Sequence, residues 1–163
     1  MERTITAGGK PYKIRASAAA LIIYKAQFGV DYIEELQNVG NDNEKAYIIG
    51  CRLLWAMARS AAEQLPTPDE WINMISPEEI TDALLMSTEM FRHSLLAYES
   101  SSASKGEPFT AEKFRAMAAL CSLSYEDLNV MPLGMALNTI ENYMDIRYGD
   151  GDYVSAADFF GEG

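Results

Sequence analysis

One histidine, His93, and two cysteines, Cys51 and Cys121, are all this 163-residue chain offers to the commonest catalytic and metal-binding chemistries. A Ser-His-Asp or Cys-His constellation, or a zinc site, needs a histidine or thiol together with spaced neighbours. Glu89 and His93 stand four apart, whereas di-iron bundles use a glutamate and a histidine three apart and use the pair twice. A surface contact between the two is therefore the expected reading. The cysteines fall inside apolar helical patterns and read as small buried hydrophobes of a reducing compartment. Bases are also scarce, with 13 Lys and Arg against 24 Asp and Glu, a formal charge of −11. Such a body repels phosphate backbones, so nucleic-acid binding is disfavoured. No long hydrophobic run exists. The most apolar window, 46–62, contains Arg52 and Arg59 and is too short to span a bilayer. The start, MERTITAGGK, lacks the apolar core of a secretory signal. The expectation is a soluble protein that stays where it is made, with no cofactor and no membrane or small-molecule partner.

What is present is an apolar fraction of 48%, which belongs to globular proteins. A chain of this size buries roughly 70% of the surface its unfolded form exposes, enough for a core without disulfide or metal staples. Charge is unevenly placed: residues 1–30, 31–99 and 100–163 carry net charges of +4, −9 and −6. The basic start coincides with a change of pattern. Residues 4–15 alternate in period two around Gly8-Gly9-Lys10-Pro11, which predicts a β-hairpin. From Ser17 onward the apolar spacing is helical.

Helices are expected at 17–28, with Ser17 as N-cap and Gly29 as stop, at 31–39, and at 44–64. The last is apolar on most sides, including Tyr47 and Ile48, and reads as central. Thr67-Pro68-Asp69-Glu70 and Ser76-Pro77-Glu78-Glu79 are successive capping boxes with proline at the first helical position. They start a short helix at 68–74 and a long one at 77–98. Residues 100–109 form a serine-rich linker. Helices follow at 110–121, 124–131 and 132–147, and 149–163 is an acidic, glycine-rich tail. The predicted architecture is mainly α with a small N-terminal β-hairpin: a helical-bundle-like body in 1–99 and a smaller C-terminal helical unit in 110–148.

The candidate site residues are all candidates for binding, none for catalysis. The carboxylates of 69–82 crowd two helix starts, and capping and helix-dipole roles explain most of them. The tail segment 153–158 resembles the closing half of an EF-hand loop, but three ligands and the turn glycine are missing. Lys45, Arg52 and Arg59 recur every seven residues along the central helix. They either pair with Glu34, Glu35 and Glu63 within the chain or dock an acidic helix of a partner. Met86 and Met90 widen the apolar face of the long helix, which is either well buried or shared with a partner. Phe159 and Phe160 near the acidic end are an anchor or simple core. Tyr12 and Ile14 lie on a strand whose edge is open to pairing with another copy or a partner.

ITAGGKPYKIRASAAALIIYKAQFGVDYIEEL (5–36) resembles the opening of phage and prophage tail assembly chaperones: strand, Gly-Lys turn, tyrosine-bearing strand, a helix ending at Phe-Gly, then a short helix ending in Glu-Leu. LLWAMARSA (53–61) and the Glu70-Trp71-Ile72 helix are similar to the same family. LSYEDLNVMPLGMALNTIENYMDI (123–146) resembles the C-terminal portion of its longer products. The resemblance implies a non-enzymatic protein of the bacterial cytoplasm, absent from the mature virion. It would bind the long, helical tape-measure protein, keep it soluble and assist polymerisation of the tail-tube protein around it, without a cofactor. Self-association is compatible with that role. Two other functions fit the composition: a structural tail-completion or head–tail connector protein, and an acidic DNA mimic that inhibits a host enzyme.

Overall fold

The structure, a computed structural model of the chain, describes residues 1–95 and 110–148. It is mainly α with an N-terminal two-stranded antiparallel hairpin, β1 (Glu2–Ala7) and β2 (Lys10–Arg15). Gly8 and Gly9 both have positive φ, 58° and 73°, the conformation of a two-residue turn whose twist matches the strands. A side chain at Gly8 would meet the Met74 carbonyl at 3.0 Å, so the turn seats directly on a later loop. The pairing runs from Ala7↔Lys10 to Glu2↔Arg15. Arg3, Ile5, Ala7, Lys10, Tyr12 and Ile14 therefore share one face. Ile5, Ala7 and Ile14 on it are buried. On the other face Glu2 binds Lys13 and Arg15, both at 2.9 Å.

Eight helices follow among the described residues: α1 (Ala19–Phe28), α2 (Tyr32–Gln37), α3 (Asn43–Ala61), α4 (Pro68–Asn73), α5 (Pro77–Leu95), α6 (Ala111–Leu120), α7 (Tyr125–Val130) and α8 (Leu133–Tyr148). α3 is the spine, touching β2, α1, α2, α4 and α5. Its stretch from Leu53 to Ala58 is buried on every side. Each large apolar side chain sealed in this way contributes roughly 1.5–3 kcal/mol. A run of edge-to-face aromatic contacts, Trp55 to Phe28 to Tyr24 to Tyr32 to Phe91, ties α3, α1, α2 and α5 together. Such pairs add to the gain from burial alone.

Local signals set several boundaries. Gly29 ends α1 in the left-handed conformation, its N–H donating to the Lys25 carbonyl. Thr67 and Glu70 form a complete capping box, and Ser76 and Glu79 exchange the same pair of bonds. Ser124 and Asp127 form a third. In all three the bonds from the capping hydroxyl or backbone hold the acid below its ordinary range.

The expected Ser17 cap does not form. The cap residue is Ala18, whose N–H donates to the Met131 carbonyl at 2.9 Å, while the Ser17 hydroxyl is buried without a partner. The reason is tertiary: the start of α1 is sealed against the junction of α7 and α8. The C-terminal helices likewise share the body's core. Phe114, Leu128, Leu133, Leu137 and Ile140 belong to the same apolar cluster as Leu21, Tyr24 and Leu54. The serine-rich stretch divides the sequence, but the core continues across that division. All of that stretch, the end expected for the long helix beyond Leu95, and the tail with Phe159 and Phe160 lie outside the described residues.

Candidate partner-binding groove

An open cavity of about 660 Å³ lies between the end of α1, the first half of α3, and α4 with its cap. Phe28, Tyr47, Ile48 and Ile72 give it apolar walls, and Arg52 and Asp69 give it charge. Tyr47 and Ile48 are 48% and 42% exposed. They project from the side of α3 that faces the cavity, although the same helix is buried from its middle onward.

Arg52 is held at this wall. Its guanidinium lies over the Phe28 ring, 5.2 Å from the centroid, and donates to Glu35 Oε1 at 2.8 Å. The other Glu35 oxygen accepts from the Tyr24 hydroxyl. Tyr24 is fully buried. Burial first, and the Glu35 carboxylate second, raise its hydroxyl well above the ordinary range, so it stays a donor. The chain Tyr24–Glu35–Arg52 thus fixes a cation at the groove while its charge is balanced from behind. Cys51 also lines the cavity. Burial raises its thiol, which leaves it protonated and unreactive at neutral pH.

The three cations at seven-residue spacing are each engaged within the chain. Lys45 donates to the Asn38 carbonyl at 3.1 Å, Arg59 to the Ala62 carbonyl at 2.7 Å, and Arg52 to Glu35. Of the three, Arg52 alone lines the groove. Tyr12 is partly buried, with its ring edge-to-face on Trp71 at 5.7 Å. Ile14 has no exposure and Met90 only 3%, so both side chains belong to the core. The pairing register and the flank of α5 that packs on β1 place them there. Met86 is half-buried beside β1. His93 and Glu89 are 3.8 Å apart and both exposed, a loose surface contact. No group of acidic, histidine or cysteine side chains able to hold a metal occurs among the described residues, and none of the described helices is long and apolar enough to cross a membrane.

The seven-residue spacing singles out Arg52 but carries no sign of the cavity it lines. Tyr47 and Ile48 were indistinguishable from core positions because α3 is apolar all round. The one available signal was local: both fall in the first two turns after the Asp42 cap, ahead of the fully buried stretch.

No family model, curated protein or solved structure matches the chain.

Proposed function

We propose that this chain is a non-enzymatic assembly chaperone of long-tailed phages or prophages, acting in the bacterial cytoplasm and leaving before the virion is complete. Its client is the tape-measure protein, which it holds soluble while tail-tube subunits polymerise. The observation that carries this reading is the groove between α1, α3 and α4. An amphipathic helix lays its apolar stripe into such a channel at i, i+3, i+4 and i+7. Tyr47, Ile48, Phe28 and Ile72 supply apolar contact, and Arg52 offers a fixed cation to a carboxylate on the client helix. The sequence resemblance supports the same role. Affinity for one helical segment is modest, and many copies along one long client make capture effective. Three capping carboxylates turned back onto their own helix starts do not suit a DNA mimic, whose acids must face outward.

Co-expression with the tape-measure gene of the same genome tests the proposal. The client is expected to stay soluble and co-purify with the chain. Ile48→Asp places a charge in the groove at an exposed position. It should abolish capture and leave the melting temperature within a few degrees. If the tape-measure protein precipitates equally with and without the chain, this function is wrong.

A further inference from the structure

The two walls of the groove differ in charge. Of the described residues that line it, Arg52 and Asp69 are the charged ones, while Gln27, Thr67 and Asn73 are polar and neutral. Arg52 stands on α3 and Asp69 on α4, and Tyr47, Ile48 and Ile72 supply apolar surface on the same two helices. The two charges do not pair with each other. Arg52 is held by Glu35. The Asp69 side chain is exposed and makes no ion pair or hydrogen bond among the described residues.

The neighbouring charges do not blur this contrast. Lys45 is engaged with the Asn38 carbonyl, Lys25 with Asp31, and Glu70 with the cap of α4. None of the three lines the groove. Glu44 is exposed one turn of α3 before Ile48, about 12 Å along the axis from Arg52. Glu35 offsets much of the charge on Arg52, but not its chemistry. A guanidinium has five donors and no acceptor, an ionised carboxylate has acceptors and no donor, and an ammonium has only donors. The α3 wall at Arg52 can therefore bond a client carboxylate and cannot bond a client base. The α4 wall at Asp69 does the reverse.

Resting on the groove as the client site, we infer that it also reads the direction of the client helix. Its occupant carries a carboxylate on one flank of the apolar stripe, facing Arg52, and a lysine or arginine on the other, facing Asp69. A helix turned end for end keeps its stripe in the groove but exchanges its flanks. Its base then meets Arg52 and its acid meets Asp69, which disfavours that direction. Copies bound along one long client whose segments share this flank pattern all face the same way.

The probe is a synthetic amphipathic peptide of about 18 residues, long enough to hold a helix when bound. It has a leucine stripe, one glutamate and one lysine on opposite flanks of its middle turn, and a nitroxide at its N-terminus. A second peptide exchanges the glutamate and the lysine, so composition and net charge are the same. Paramagnetic broadening of backbone amides in the full chain compares Glu44 and Lys45 with Trp55 and Ala56, which lie beyond opposite ends of the α3 wall. One direction is expected to be favoured at least ~5-fold, so the first peptide broadens one pair more and the second peptide the other. Asp69→Lys, at an exposed position, makes both walls donors and should erase the preference without loss of folding. The inference is overturned, and capture in the groove still stands, if both peptides broaden the same pair, or if Asp69→Lys keeps the preference. If wild type binds neither peptide, or Ile48→Asp binds them as well as wild type does, the groove is not the client site and both readings fall.

Discussion

Asp31 and Glu35 stand four residues apart at the start of the same short helix, and each carboxylate closes a different junction. Asp31 lies at the boundary with the C-terminal helices. Its side chain is 4% exposed and accepts from Lys25 Nζ at 2.8 Å and from the Ala111 N–H at 2.6 Å. The hydrogen bond it donates to Asp31 raises the Lys25 ammonium against the opposing effect of burial. Glu35 lies behind the groove, 17% exposed, with Tyr24 and Arg52 as partners. The first junction is a lock, because a dry carboxylate must keep every bond it makes. The second is a support that water still reaches, and it orients a cation without sealing it away. Neighbouring acids with the same sequence signature can thus hold a core together or prepare a binding surface, according to what the fold brings opposite them.

The largest effect expected from this contrast is at Asp31. Asp31→Ala leaves the buried Ala111 N–H unpaired and Lys25 with only the more distant, exposed Glu112 carboxylate at 3.7 Å, and should cost about 3 kcal/mol in urea unfolding. A loss under ~1 kcal/mol would mean that the C-terminal helices are held by apolar burial alone, and the contrast with Glu35 would disappear.

Glu35→Gln is the milder counterpart. Glutamine still accepts from Tyr24 but no longer balances Arg52, and because the ion pair is partly exposed the cost should be about 1 kcal/mol. Capture of client helices that carry a carboxylate should improve, since Arg52 is then unneutralised. A loss as large as that of Asp31→Ala would show the groove to be as dependent on its carboxylate as the other junction.

The smallest effect is expected at Ser17, which is sealed against the α7–α8 junction. A working N-cap loses about 1 kcal/mol on truncation to alanine. The Ser17 hydroxyl is buried and unpaired, so Ser17→Ala should lower the unfolding free energy measured in urea by less than ~0.5 kcal/mol or raise it slightly. A full capping loss would restore the reading drawn from the sequence.

The groove and the hairpin edge were legible to different degrees. The hairpin follows from alternation and Gly8-Gly9, and its open strand was anticipated at Tyr12 and Ile14. The Tyr12 ring rests edge-to-face on Trp71 and the Ile14 side chain has no exposure, because this face of the hairpin packs on the body. Arg52 was singled out, and Glu35 was among its anticipated partners. Tyr24 was not, since the side chain nearest in space to Glu35 stands eleven residues away on another helix. Met86 and Met90, one turn of α5 apart, both border the cavity beside β1, but Met86 stays half-buried while Met90 is sealed into the core.

What the chain determined unaided is what acts over a few residues: the turn at two glycines, the stop at Gly29, the caps at Thr67 and Ser76, the predominance of helix and the acidic charge. These depend on backbone conformation and on hydrogen bonds spanning three or four positions, so they are written in local order. Tertiary structure alone decided that Asp31 meets Ala111, that the start of α1 rests on the Met131 carbonyl, and that Tyr47 and Ile48 border a groove. A buried polar group takes whichever partner the converging helices bring within about 3 Å, and linear spacing carries no record of that approach.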